Sequence, residues 1–452
     1  MKHDNNSSVQ FDKMINAPIT PLIAKLAVPT TLTMLVTSIY NLVDTAFVGQ
    51  IGTSASAAVG VVFVFMAIIQ ACGFVFGHGS GSIISRALGA RDQERANRTA
   101  TTAIFCSIAF GALLSVISWC FADRLVRLLG STETIAPYAR TYISYILAAA
   151  PFMTASFTMN QILRFEGKAT LGMIAMMTGG ILNMIGDPIL IFGFHMGIAG
   201  AGLATCLSQI VGFCLLMSMF LRGKSVSRIG ISWFLKDPDL ILDIVTTGLP
   251  SLVRQGLISV GTLILNPQAA PYGDAAIAAI SIVNRISGFL FAIALGIGQG
   301  FQPVCGFNYG AARYDRVQEG YKATVRMGTA AMGAAVVVLL AFSGSLIGLF
   351  RDDPEVISIG TRALRIQGTS LLFIPFTLVT EMMYQSTGRK AGAMILSLAR
   401  GGMFFIPLLM ILSRLRGLHG IQEAQACAYV ITVPLAWVYM RKFFDGLPGT
   451  GH

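Results

Sequence analysis

Apolar stretches long enough to cross a bilayer recur along the chain, and short polar or glycine-rich breaks separate them. Each crossing needs about 20 predominantly apolar residues. The pattern predicts twelve helices, over 22–49, 54–80, 97–121, 137–162, 170–193, 197–221, 241–266, 275–301, 322–345, 357–385, 391–412 and 419–440. The expected fold class is therefore an all-α membrane protein with twelve transmembrane helices.

Composition agrees with that pattern. Of 452 residues, 54% are hydrophobic and only 12% charged, whereas soluble domains carry about 25% charged residues. The opening residues "MKHDNNSSVQFDK" are polar and have no apolar core, so no cleavable signal peptide is expected. In a soluble protein a net charge of +11 would point to nucleic acid. In a membrane protein it reflects the bias of Lys and Arg toward cytoplasmic loops, so no nucleic-acid partner is expected. The seven cysteines are scattered, without CxxC or Cys/His clusters, which excludes a disulfide framework and a cysteine metal site.

Basic residues orient the helices. Put both termini and the loops after spans 2, 4, 6, 8 and 10 on one side, and that side holds 21 of the 32 Lys and Arg residues. The opposite side holds eight, so the first side, with both termini, reads as cytoplasmic. The chain also repeats itself. An ungapped shift of 221 residues superposes Pro29 on Pro250, Gly52 on Gly273, Gly77 on Gly298, Gly79 on Gly300, Gly89 on Gly310 and Arg95 on Arg316. Six spans per half is an even number, so both halves enter from the same side, as in parallel transporter repeats. The expected organisation is an N-lobe over 1–221, a cytoplasmic linker over 222–240 and a C-lobe over 241–452.

Glycines 73, 77 and 81 recur every four residues in "CGFVFGHGSG", a spacing that allows close helix contact. His78, inside that stretch, reads as structural. There is no GxSxG elbow and no nucleophile–base pair at membrane depth, so an intramembrane enzyme has no motif to stand on.

Three acids fall well inside predicted spans: Asp44, Asp187 and Glu381. A charge at the bilayer centre costs about 2.5–3.5 kcal/mol on insertion scales, so such residues face a partner or a cavity. Asp44 lies five residues before Gly49, which is roughly 8 Å from the outer end of span 1 at about 1.5 Å per residue. Asp187 lies at similar depth in span 5, and Thr205 at similar depth in span 6. Asn183 is one turn from Asp187 on the same face, and Tyr40 and Asn41 stand beside Asp44. No Lys or Arg lies in the interior of the first six spans, away from their ends, so neutralising these carboxylates falls to a proton, a metal cation or a cationic substrate. Oxygen ligands of this kind suit Na⁺ as a hard cation. Pro29 and Pro188 each remove a backbone donor and can kink or hinge their helices.

In the second half the charge balance reverses. Arg254, Arg285 and Arg400 lie in spans 7, 8 and 11 against the single acid Glu381 in span 10. Glu381 and Arg400 can pair at matching depth, as a structural or gating pair or as a substrate contact.

The motifs "P-x(10)-YNLVDTAFVG" from Pro29, "N-x(3)-DPILIFGF" from Asn183 and "GIAGAGLATCLSQ" at 197–209 resemble the MATE family of multidrug and toxic compound extrusion transporters. So do the matched loops "SRALGARDQERAN" and "GFNYGAARYDRV". The likeness is to the DinF-like branch and its MepA-like drug exporters, and it covers nearly the whole chain. It implies two pseudo-symmetric six-helix lobes, the MATE fold. It also implies a coupling site at Asp44, Asn183, Asp187 and Thr205 and a bend of span 1 at Pro29. The NorM-like branch carries a membrane glutamate eight residues after the span 7 proline; here that position is Ile258, so coupling is expected to rest on the N-lobe.

The resulting expectation is a secondary antiporter in the bacterial inner membrane. It would export amphipathic, often cationic small molecules in exchange for H⁺ or Na⁺ by alternating access. No organic cofactor, no metal beyond that Na⁺ and no enzymatic step are expected. Lipids are the expected surroundings, and the chain is expected to be monomeric. A lipid or lipid-linked sugar flippase is the alternative, kept open by Arg254, Arg285 and Arg400.

Overall fold

A computed structural model describes residues 2–234 and 237–448, without the side chains of residues 2–6, 41 and 42. The Asn41 side chain and Lys236 thus lie outside the described residues. Among the described residues all regular structure is helical. The first half comprises α1 (Lys2–Asn16), α2 (Ile19–Gly49), α3 (Thr53–Gly89), α4 (Gln93–Cys120), α5 (Ala122–Leu128), α6 (Ala136–Phe165), α7 (Ala169–Pro188) and α8 (Ile198–Leu221). The second comprises α9 (Pro238–Ala269), α10 (Asp274–Gly310), α11 (Tyr314–Phe350), α12 (Pro354–Ser370), α13 (Ile374–Ser386), α14 (Lys390–Leu398), α15 (Phe405–Arg416) and α16 (Leu418–Asp445).

Eleven helical stretches among the described residues are long and apolar enough to cross a membrane, with α12–α13 and α14–α15 each acting as one. The twelfth predicted span is α16, 28 residues long. Gln425, Tyr429, Pro434 and Trp437 dilute its apolar run, which is why it stands outside those eleven. Large apolar side chains point outward, among them Val116 on α4 at 62% and Val337 on α11 at 67% exposure. Faces of that kind are stable against lipid, where apolar surface carries no penalty.

The chain forms two compact units, one of residues 1–13 and 32–248, the other of residues 14–31 and 249–452. The sequence division kept the predicted spans whole, whereas these borders fall inside α1, α2 and α9. Pro29 and Pro250, paired by the 221-residue shift, each lie within two residues of a border. Hydropathy says that a segment is buried but not which neighbour buries it, so this crossing was invisible in the sequence.

The repeat extends to backbone torsions. Positive φ recurs at Gly52 and Gly273, at Arg91 (61°) and Ala312 (56°), at Gly167 (78°) and Gly388 (77°), and at Gly197 (56°) and Gly417 (60°). Arg91 and Ala312 are costly positions for side chains with a Cβ. Their recurrence at one offset shows that the two halves share a helix-to-helix turn.

Within the first unit α6 is the hub, packed by α3, α4 and α8. Glycines 73, 77 and 81 of α3 all face it. A Cβ on Gly73 would lie 2.7 Å from Phe157 Cβ, and one on Gly81 would lie 2.2 Å from the Phe165 ring. His78 is fully buried among Phe74 and Phe165, its Nδ1 3.1 Å from the Phe74 carbonyl, as suits a structural residue. In the second unit the corresponding fourth span is broken. A 3₁₀ turn, Leu371–Phe373, joins α12 to α13 just ahead of Pro375, whereas α6 runs continuously through Pro151.

The segment 222–234 is fastened to the first unit by Glu166, a fully buried carboxylate just past the end of α6. It accepts hydrogen bonds from Ser225 Oγ (2.7 Å), Val226 N (2.8 Å) and Ser227 N (2.9 Å). Gln10 of α1 donates to the Glu166 carbonyl at 2.9 Å, and Arg228 N donates to Asn97 at 2.7 Å. Burial pushes the Glu166 carboxyl above its ordinary range, while these hydrogen bonds pull it down. Hydrogen bonds to a charged group contribute about 1.5–3 kcal/mol each. Glu166→Gln keeps the shape but turns one acceptor into a donor facing a backbone N–H. It is expected to destabilise the protein by about 2 kcal/mol and to speed proteolysis within 222–234. Unchanged melting and digestion in detergent would remove this role from Glu166.

Candidate functional site

Three helices of the first unit, α2, α7 and α8, bring polar groups to one level. Asp44 stands five residues before the end of α2 and Thr205 seven residues into α8. Asn183 and Asp187 lie one turn apart on α7, so their side chains share a face. At about 1.5 Å per residue these positions lie within roughly 8–10 Å of the same helix ends. Close packing holds them there: the Tyr40 ring lies over Gly180, whose Cβ would sit 3.2 Å from it, and Gly186 abuts Ala204. The Tyr40 ring thus packs α2 against α7.

Asn183 Nδ2 donates to Asp187 Oδ1 at 3.3 Å and to Thr205 Oγ1 at 3.2 Å. The Asp44 and Asp187 carboxyls lie close enough to act on each other electrostatically. Both are buried, Asp44 at 8% and Asp187 at 0% exposure. Asp44 Oδ1 and Asp187 Oδ2 accept no hydrogen bond, and among the described residues no ion pair reaches either. Two buried carboxylates with unsatisfied oxygens and no cationic side chain repel one another, so the arrangement calls for a positive charge. Its oxygens come from two carboxylates, an amide and a hydroxyl, a hard donor set fit for a proton or Na⁺. Pro188 ends the α-helical part of α7, and a π-turn, Ile189–Gly193, follows it immediately. Pro29 lies inside an α2 that remains helical throughout.

Tyr142 on α6 was not anticipated. It is fully buried, and its hydroxyl lies beside Asp44 and Thr205 without being aligned for a hydrogen bond. Its position six residues into span 4 gives the same depth as Asp44, so the same count of helical rise would have found it.

The second unit holds a buried ion cluster. Glu381 Oε1 accepts from Arg254 at 2.6 Å and from Ser397 at 2.6 Å. Arg400 approaches the other carboxylate oxygen at 3.2 Å. The expected Glu381–Arg400 pairing is therefore present, with Arg254 added to it. Arg285 is not part of the cluster: it lies on an exposed position of α10. Ser251 and Gln385 extend the network behind Arg254.

The family model for MatE matches residues 29–189 and 250–411, one copy on each half of the repeat. The chain belongs to the MatE family. Among curated MatE relatives, the multidrug export protein MepA of Staphylococcus saprophyticus is 28% identical over 93% of this chain and 93% of its own. MepA of a Staphylococcus aureus strain is 28% identical over 90% of each chain. Among solved structures, the match includes a multidrug resistance MATE family transporter of the MOP superfamily in an outward-facing conformation. It superposes with a TM-score of 0.91 at 26% identity, covering 97% of this chain and 98% of that one. The expected MATE fold, twelve helices in two lobes, is thus the fold of this multi-pass membrane protein.

Proposed function

We propose that this MatE protein is a secondary multidrug exporter that couples the efflux of amphipathic, often cationic compounds to the entry of H⁺ or Na⁺ by alternating access. The observation that carries the coupling is the pair Asp44 and Asp187, buried against each other with free oxygens and no basic partner. A cation from the outer side occupies Asp44, Asn183, Asp187 and Thr205, and it favours one arrangement of the protein over the other. A bound ion shifts that equilibrium only by its differential affinity for the two states. The drug and the ion therefore have to prefer opposite states. No covalent step is involved, and the gradient supplies the driving force. Export as the direction of transport, and drugs as the cargo, are supported by the MepA relatives, which do not favour the flippase alternative. The basic bias of the loops supports a plasma-membrane protein with both termini cytoplasmic.

Proteoliposomes with pH and Na⁺ gradients imposed separately test this reading. Dye uptake against its gradient under one of the two is expected. Equal dye fluxes with both gradients collapsed would sink it.

A further inference from the structure

The second unit contains a cavity of about 160 Å³ that is lined by both cluster arginines and by no acidic side chain. By the size of a water molecule it has room for on the order of ten non-hydrogen atoms. Its lining combines apolar side chains, among them Leu257, Leu265 and Phe405, with polar ones, among them Ser287, Gln367 and Tyr429.

The charge is unbalanced. Arg254 and Arg400 are 6% and 5% exposed, and each brings a guanidinium into the interior. One carboxylate, Glu381, serves both. Its Oε1 is taken by Arg254 and Ser397, so Arg254 is committed. Arg400 meets only Oε2, at 3.2 Å, and that oxygen receives no aligned hydrogen bond. Arg400 is thus a buried cation without an aligned hydrogen bond to its carboxylate, and its planar fork of donors lies beside open volume. The π-turn Ala399–Met403 and the Phe291 ring, 5.4 Å from its guanidinium carbon, hold it at the cavity wall. Ser287 is a second, independent sign of a missing partner: it is 6% exposed, lines the cavity, and its hydroxyl has no hydrogen bond. Buried donors of this kind require an acceptor.

We infer that this cavity receives the carboxylate of an amphipathic molecule, with Arg400 as its ion partner, Ser287 as a further donor, and the apolar walls as the bed for its hydrocarbon part. An exporter with one basic and one acidic pocket, in separate units, would accept zwitterions as well as cations. The inference rests on the export reading for that consequence only, since the binding itself is independent of transport.

Calorimetric titration of the purified protein in detergent with phenylbutyrate, its methyl ester and phenylbutylamine tests it. The acid is expected to bind at least about tenfold more tightly than ester or amine, the gain of one charge-assisted hydrogen bond. Arg400→Gln should bring the acid down to the ester, and Arg400→Lys should retain part of the preference. Ser287→Ala, which leaves the ion cluster untouched, should weaken the acid about threefold, less than one full hydrogen bond. Equal binding of acid and ester by the unaltered protein overturns the inference whether or not the variants fold. With dye extrusion intact, that result leaves the export reading standing. Acid preference without any dye extrusion would do the opposite.

Discussion

Asp187→Asn is expected to reduce cation-driven dye export by about 100-fold while the protein still inserts, toward the upper end of the coupling energies of about 1–3 kcal/mol found between linked sites. The substitution keeps the side chain's size and its place beside Asn183 and removes only the charge. Asp44→Asn is expected to do the same. Because the two carboxyls share one site, they are expected to act as a unit, and the double variant should be little worse than either single one. Drug binding measured in detergent should persist, since the loss lies in the coupling. Resistance assays in cells, paired with quantification of membrane protein, provide the check. Full drug resistance in Asp44→Asn would rule out the coupling role.

The first-unit site could be read before any coordinates because a carboxylate is conspicuous in an apolar helix and helical rise converts position into depth. Asp44, Asp187, Asn183 and Thr205 were brought together by that arithmetic alone, and the structure places Asn183 within hydrogen-bond reach of two of the others. Tyr142 escaped because an aromatic hydroxyl inside a span is not unusual enough to stand out. Glu166 escaped for a different reason. It sits at a helix end, where acids are ordinary, and only the folded linker shows that it is fully buried. Arg254 was legible as an intramembrane charge but its partner was not, since depth matched Glu381 to Arg400 and two helices compete for one carboxylate. The assignment of half of α2 and part of α9 to the opposite unit has no hydropathy signal at all.

The halves share a scaffold and differ in what it carries. At the 221-residue offset Asp44 corresponds to Leu265, Arg254 to Thr33 and Glu381 to Asn160. The fifth span of each half contains a π-turn, at its end in one (Ile189–Gly193) and in its middle in the other (Ala399–Met403). Such turns widen a helix locally and recur at functional sites. In the first half the turn follows the acidic pair, and in the second it presents a cation. The two halves thus carry opposite charge at different points of a shared scaffold.

Glu381→Gln tests how much the second half depends on its single acid. Removing one member of a buried ion cluster leaves the others uncompensated, at a cost of about 3–5 kcal/mol. Here two guanidiniums would lose their only carboxylate at membrane depth, where few waters can replace it. The variant is expected to melt well below the unaltered protein in detergent and to accumulate poorly in the membrane. Packing alone could produce the same loss, so a second variant separates the causes. Replacing the whole cluster, Arg254→Met with Glu381→Leu and Arg400→Met, removes every charge together, and such replacements are often neutral or stabilising. That triple variant is expected to recover most of the lost stability. If it melts as low as Glu381→Gln, the defect is one of shape. If Glu381→Gln melts with the unaltered protein, the arginines find other acceptors, and the cluster contributes nothing to holding α9, α13 and the fifth span of this half together.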